Sequence, residues 1–339
     1  MNKKLFLSAC CVALALCSCG SQSEQNTVAT EVATSDSVEK ASTVYVTREI
    51  SPEAIIRIYE ALGRKAEGRV AVKISTGEHG NPNHLKPELI GPFVQYVNGK
   101  LVECNTAYEG QRTSIEAHHA VIEEHGFNTI GGVDLMDEEG EFTIPCRDTT
   151  NIKYDIVGTH LKNYDFMINL VHFKGHPMGG LGGAIKNQSI GVASSNGKAY
   201  IHTAGYQQVV EGLWDHVDNQ DGFLESMAAA AQAVSDYFGN GERILYISVL
   251  NNMTVDCDCV ATPEPVKMKD YGIMASLDPV ALDQACVDVV FNMTASEGND
   301  PSFLQERIKS RHGTHAIEWA EKIGLGSTHY QLVNIDKND

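Results

Sequence analysis

The chain has 339 residues, 42% hydrophobic and 21% charged, which is ample for a sizeable core in one large domain or two lobes. Its 26 basic and 44 acidic residues give a formal net charge of −18. Nucleic-acid binders present a broad basic face, so nucleic acid is not an expected partner.

The N-terminus reads as a targeting segment. Lys3 and Lys4 precede a short apolar run over residues 5–16, too short to span a bilayer. The run ends in Leu16-Cys17-Ser18-Cys19, which resembles a bacterial lipobox with Cys19 as the lipidated residue. Cys17 as acceptor, or an ordinary cleaved signal peptide, are the alternatives. Residues 1–19 are thus expected to be a lipoprotein-type signal peptide. Residues 20–42, rich in Ser, Thr and Glu, read as a disordered tether. The body, residues 43–336, is expected in the cell envelope, periplasmic or surface side, held to the membrane by the lipid anchor. Of the nine cysteines, Cys104, Cys146, Cys257, Cys259 and Cys286 lie in this body. An odd number in an oxidising compartment implies at least one free thiol or ligand.

Along the body, Ser51-Pro52 opens a helix to about residue 65, with Ser51 as cap and Pro52 in the first turn. Residues 69–75 (RVAVKIS) alternate as a strand, 77–83 form a loop, and 87–97 a helix. A short strand reaches Cys104, a loop covers 105–110, and a helix over 112–125 stops at Gly126. Residues 165–171 (DFMINLV) form a buried strand. An alanine-rich helix over 222–238 precedes a strand over 243–250 and a shorter one over 272–275. Asp278-Pro279 caps a helix to about Phe291, two helices lie between 301 and 322, and residues 330–335 form a last strand. The alternation predicts an α/β fold with mostly parallel sheets flanked by helices, in two lobes (about 43–160 and 161–336) with a cleft between them.

Four constellations carry chemistry. The first is His172-Phe-Lys174-Gly-His176-Pro-Met-Gly-Gly-Leu-Gly182-Gly183-Ala-Ile-Lys186-Asn187, a glycine-rich turn following a strand. Its glycines would let backbone N–H groups approach an anion, and its lysines add charge. It matches neither the Rossmann nor the P-loop spacing, and a merely solvated turn is the competing reading. The second is Asp256-Cys257-Asp258-Cys259, whose thiols face one side if the chain is extended. They suit a soft metal, an iron–sulfur cluster, a disulfide or an inert pair, with Cys286 as a further ligand. The third is Ser276 to Cys286, where Asp278 is an N-cap and Asp283 either a buried partner for a lysine or histidine or a plain helix-face carboxylate. The fourth is Thr106-Ala-Tyr-Glu-Gly-Gln-Arg112, where Arg112 either clamps a carboxylate or merely starts a helix. His118, His119, His125, His312, His315 and His329 are expected at the surface.

These landmarks, with Gly197-Lys198 and His202, resemble a bacterial and archaeal family known as domain of unknown function 362, over residues 69 to 336. Many relatives carry a Cys-x-x-Cys ferredoxin-like insertion after the position of His202. Here residues 204–220 contain no cysteine, so ferredoxin-type clusters are not expected. More distantly, His176, Lys186 and His202 resemble the spacing of the lactate racemase family, which uses a nickel pincer nucleotide. That resemblance implies Lys186 as a covalent cofactor anchor, His202 as a metal ligand, His176 as a proton-transfer base and Arg112 as a holder of substrate carboxylate. No second proton-transfer histidine matches, and Asn187 directly follows the lysine.

The expectation is therefore one site containing Lys174, His176, Lys186, Asn187, His202, Gly182 and Gly183, with Arg112 and Asp283 contributing. It would bind a small anionic molecule or cofactor, either a metal ion or an anionic nucleotide. If it is catalytic, proton or hydride transfer beside a carbonyl is expected, with His176 as base and Lys186 as stabiliser or anchor. The alternatives are a redox, metal or iron–sulfur protein centred on Cys257 and Cys259, with Cys286 joining them and His202 a further metal ligand, and a non-catalytic surface protein that captures a ligand.

Overall fold

Seven strands running one way and one running against them form the backbone of the molecule. The computed structural model describes residues 41–336, so the leader, the tether up to residue 40 and Cys19 lie outside the described residues. In chain order the elements are β1 (Ser42–Thr47), α1 (Pro52–Ala61), β2 (Val70–Lys73), α2 (Pro87–Tyr96), β3 (Gly99–Glu103), α3 (Ile115–Glu124), β4 (Val133–Leu135), β5 (Glu141–Pro145) and β6 (Tyr154–Gly158). Then follow β7 (Phe166–His172), β8 (Lys174–His176), β9 (Gly180–Gly182), α4 (Ala184–Gln188), α5 (Ser195–His202), α6 (Gln220–Tyr237), β10 (Ile244–Leu250), β11 (Gly272–Ser276), α7 (Pro279–Asn292), α8 (Ser302–Ser310), α9 (His315–Lys322) and β12 (Tyr330–Asn334).

The main sheet has eight strands in the order β12-β1-β11-β10-β7-β2-β3-β4. Every neighbouring pair is parallel except those made by β11, which runs antiparallel to both β1 and β10. The short β5–β6 and β8–β9 pairs are separate. The mostly parallel α/β architecture is thus present. Because β2, β3 and β4 share this sheet with β7 and β10, residues on both sides of position 160 contribute strands to one continuous sheet, and a cavity lies at the carboxyl ends of its strands.

The period-two alternation of the strands divides the core. Val70, Val72, Phe166, Ile168, Leu170, Leu245, Ile247 and Val249 pack on the face covered by α1 and α2. Ala71, Met167, Val171, Ile244, Tyr246 and Leu250 face the side covered by α4, α6 and α7. Each such buried aliphatic or aromatic side chain contributes roughly 1.5–3 kcal/mol. On this second face the alternation also places Lys73 and Asn169, register partners on β2 and β7, inside the protein.

The helix signals hold locally. The Ser51 hydroxyl accepts from Ala54 N at 3.1 Å, and Pro52 occupies the first turn of α1. Asp278 caps α7 by accepting from Val280 N and Ala281 N. Gly126 ends α3 with φ of 80°, a conformation that favours glycine. Among the described residues, no helix is long and apolar enough to cross a membrane.

Candidate functional site

Chain topology determines where the site forms. From β2 the chain steps outward to β3 and β4, then returns to place β7 on the other side of β2 and continues to β10. At such a reversal, loops leave the carboxyl ends of adjacent strands in opposite directions and open a crevice. A cavity of about 270 Å³ lies there, lined by Lys73 and Ser75 at and just beyond the end of β2, Glu103 and Cys104 at the end of β3, and Val171 and His172 at the end of β7.

Most of the residues singled out by sequence line this one cavity: Lys174, His176, Gly182, Gly183, Lys186, Asn187, His202, Arg112, Cys257 and Cys259. Sequence reading missed Lys73, Glu103, Asp258 as an ion-pair partner, and Trp214. The signal for Lys73 was a lysine inside the apolar strand RVAVKIS. Its ammonium donates to Ile74 O and to Asn187 Oδ1, the latter at 3.1 Å. Asn187 Nδ2 in turn donates to Asn169 Oδ1 at 2.6 Å. Burial pulls the Lys73 ammonium down to about 8.

The cavity is cationic within an acidic protein. Lys73, Lys174, Lys186, Lys198 and Arg112 line it against Glu103 and Asp258 alone. Besides Lys73, three further cations are paired or tethered: Lys174 Nζ lies 2.5 Å from Asp258 Oδ2, Arg112 Nη1 3.1 Å from Glu103 Oε1, and Lys198 Nζ donates to Ala193 O at 2.6 Å. Lys186 differs. Burial lowers its ammonium to about 7, and Lys174, Lys73, Lys198 and Arg112 all push the same way.

Of the three cavity histidines, His172 is engaged at both ring nitrogens by Asp258 and Asn251 O, and the other two, His176 and His202, have opposite tautomers. His176 Nδ1 accepts from Met178 N at 3.2 Å and Gly179 N at 2.8 Å, so the proton of the neutral ring resides on Nε2. His202 Nδ1 donates to Lys198 O at 2.7 Å, which leaves its Nε2 lone pair free. Burial, reinforced by Lys186, holds both rings neutral: His202 falls to about 4, and His176 lies well below the ordinary range. The expected base, His176, is therefore built as a donor, and the acceptor is His202.

The glycine-rich turn also differs from expectation. The first amides of α4 do not await an external anion. Ala184 N and Ile185 N donate to the two oxygens of Asp283 at 2.6 and 2.9 Å. Gly183 is required because a Cβ there would lie 2.3 Å from Asp283 Oδ1. Asp283, expected as a partner for a lysine or histidine, instead anchors the helix that carries Lys186, and burial raises its carboxyl to about 7.

Arg112, expected to hold a ligand carboxylate, is engaged by the protein. Beyond Glu103, its Nη2 donates to Tyr108 Oη at 2.7 Å, and Tyr108 donates to Glu78 at 3.0 Å. His118, expected at the surface, is fully buried, bridging Asn105 Oδ1 and Glu103 Oε2. The ring of His125 is also largely covered, stacked on His84 at 3.9 Å. His119, His312 and His329 are exposed and His315 partly so.

Cys257 and Cys259 form a disulfide at the cavity wall. Cys286, weighed as a third ligand beside them, is instead a free, buried cysteine against Met274. The donors nearest the pair belong to His176 rather than His202: its ring nitrogen and both sulfurs lie within 4.8 Å of one another. Holding a metal there would require reduction of the disulfide, because each sulfur is bonded to the other.

No curated protein matches the chain. Among solved structures it is similar to the lactate racemase apoprotein from Thermoanaerobacterium thermosaccharolyticum, at 14% identity and a TM-score of 0.36, over 61% of this chain and 50% of that one. It is also similar to a crystal structure of a Thermotoga maritima protein, at 13% identity and a TM-score of 0.38, over 80% of this chain and 58% of that one. The chain thus spans half the length of the first and 58% of the second. Residues 70–288, which hold every cavity residue named above, match the family described as Domain of unknown function (DUF362), and the chain belongs to that family.

Proposed function

We propose that the cavity binds a small anionic metabolite or anionic cofactor and moves a proton next to a carbonyl. The observation that carries this reading is the unbalanced charge: five cations against two carboxylates, with Lys186 lacking any carboxylate among its main neighbours. In a crevice of restricted solvent access such a field attracts and orients anions. The two histidines divide the remaining work. His202 Nε2 takes the proton, while the Nε2–H of His176 and the ammonium of Lys186 stabilise the negative charge that develops on the carbonyl oxygen. His202 Nε2 is also the ring nitrogen with a lone pair free for a metal, should the ligand carry one.

The test is thermal stability and calorimetry with inorganic phosphate, oxalate and malonate. Bound ligand raises stability by RT ln(1 + [L]/Kd), about 2.7 kcal/mol at a hundredfold excess over Kd. Absence of a shift with all three at millimolar concentration ends the reading. Deuterium exchange at C3 of a bound 2-oxo acid, next to its ketone, that is lost in His202→Gln supports the catalytic half. The leader supports a place in the envelope, anchored through Cys19. Radiolabelled palmitate incorporated by the natural chain and absent from Cys19→Ala is the expected result.

A further inference from the structure

We propose that Cys257–Cys259 is a redox-active disulfide that exchanges with small thiols carrying a negative charge of their own, admitted by the same cationic cavity. The proposal rests on the anion-binding reading and adds a second chemistry to the cavity wall. Both cysteines line the cavity. Cys257 is 3% exposed, whereas Cys259 is only half-buried, so an incoming nucleophile meets the Cys259 sulfur. The sulfur that must leave has one hydrogen-bond donor in place and an imidazole close by. Cys259 N lies 3.4 Å from Cys257 Sγ, and a His176 ring nitrogen lies within 4.8 Å of both sulfurs.

The turn is held rigidly. The Asp258 carboxylate, between the two cysteines, is gripped by His172 Nδ1 at 3.0 Å and Lys174 Nζ at 2.5 Å. Its carbonyl accepts from Glu78 N at 2.7 Å, and Val260 O accepts from Asn81 Nδ2 at 2.7 Å. Gly175 leaves no room for a Cβ, which would lie 1.9 Å from Val255 O. Cys146 and Cys286 are buried away from the cavity, and Cys104, which lines it, is 1% exposed with its thiol pushed up by burial. Among the described residues, exchange is therefore favoured at the Cys257–Cys259 pair.

The chemistry balances. A thiolate attacks Cys259 Sγ, the disulfide bond breaks, and a mixed disulfide forms on Cys259 while Cys257 leaves as thiolate. A second thiolate attacks the external sulfur of the mixed disulfide and releases Cys259 as thiolate. Two protons from solvent complete the dithiol. Two external thiolates thus lose two electrons to become a disulfide, and the protein disulfide is reduced by the same two. The reverse exchange with an external disulfide reoxidises the pair.

The experiment compares 3-mercaptopropionate, which is anionic, with neutral 2-mercaptoethanol on the folded, oxidised full chain. Rates are normalised to thiolate concentration, and the products are located by peptide mass. The anionic thiol is expected to react at least about tenfold faster at low salt, with the preference collapsing at high salt and in Lys186→Met. Cys257→Ser, offered the disulfide of 3-mercaptopropionate, should form a mixed disulfide on Cys259 and release one equivalent of the anionic thiol. Two unlinked thiols in the oxidised protein, a disulfide inert until unfolding, or equal rates for both thiols overturn the proposal, whether or not the serine variant folds. Phosphate binding measured in parallel separates the two readings. Binding retained beside an inert disulfide overturns only the redox proposal, whereas loss of both overturns the cavity reading as well.

Discussion

His176 and His202 present opposite hydrogen-bonding ends to one cavity, because the backbone assigns each ring its tautomer. Two amides, of Met178 and Gly179, occupy Nδ1 of His176, and the Lys198 carbonyl occupies Nδ1 of His202. The His202 ring is further fixed by stacking on Phe223, with centroids 4.7 Å apart and planes 17° from parallel. The first ring is a donor and the second an acceptor, and neither needs to change protonation before a substrate arrives.

Nitrogen-15 NMR of labelled histidine reads this directly. His202 should show the Nδ1–H tautomer and His176 the Nε2–H tautomer, both neutral from pH 8 down to about 5. The sign follows from burial, which lowers both, His202 to about 4. Identical tautomers, or protonation of either ring near pH 6.5, would remove the division of labour.

Lys186 should make anion binding fall with rising pH. Its ammonium, lowered to about 7, is the form that attracts an anion. Affinity for oxalate, a dianion throughout this range, should therefore weaken from pH 6 to pH 9, approaching tenfold per unit above about 7 for a single proton. In Lys186→Met this dependence should flatten. Stability moves in the opposite direction. A lysine whose folded value is depressed costs stability as pH falls from its unfolded value near 10.5 to about 7, and the cost is then constant. Lys186→Met should consequently raise the melting temperature more at pH 7 than at pH 10, by roughly 2–4 °C for each kcal/mol recovered.

Asp283 reaches the site only through a helix. Its two oxygens hold the first two amides of α4, and Lys186 and Asn187 are the third and fourth residues of that helix. Asp283→Ala leaves two buried donors without partners and should cost about 2 kcal/mol. It should also weaken phosphate binding, although Asp283 does not line the cavity. Asp283→Asn, which retains one acceptor, should fall between. Equal phosphate affinity in wild type and Asp283→Ala, measured by calorimetry, would show that α4 keeps its place without this carboxylate.

The sequence made the scaffold legible where local signals were strong. Ser51-Pro52, Asp278-Pro279, the strand DFMINLV and the strand after Arg243 all lie in the elements their caps and periodicity indicate. Other elements were hidden for physical reasons. Strand β1 begins at Ser42, where polar tether composition masks it. Helix α5 contains Gly197, a poor helix former retained because a Cβ would lie 2.0 Å from Ile156 O. The site residues were legible because their types cluster in sequence. Their roles were not, because each depends on a distant partner: Asp283 for α4, 99 residues away, and Asp258 for Lys174, 84 away. A glycine-rich turn next to lysines suggests an external anion, whereas here the chain supplies its own at the helix start.

Glu103 separates fold stability from ligand binding. Its Oε1 receives Arg112, and its Oε2 receives Thr76 N at 2.9 Å and lies 3.3 Å from His118 Nε2. Burial pushes this carboxyl up, but Arg112, His118 and Lys73 outweigh it and hold it well below the usual range. The sign is that of a depressed acid: the stabilisation is present above the unfolded value near 4.5 and is lost as pH falls through the folded one. Glu103→Gln keeps the shape but leaves the Arg112 charge buried with less compensation, and should cost about 3 kcal/mol at pH 7. It should also flatten the acid limb of stability against pH. The cavity, however, then holds five cations against one carboxylate, so phosphate affinity at low salt should hold or rise. Urea unfolding and phosphate calorimetry on the same sample check both directions. A variant that loses stability and phosphate binding together would make Glu103 part of the binding surface rather than a counter-ion beneath it.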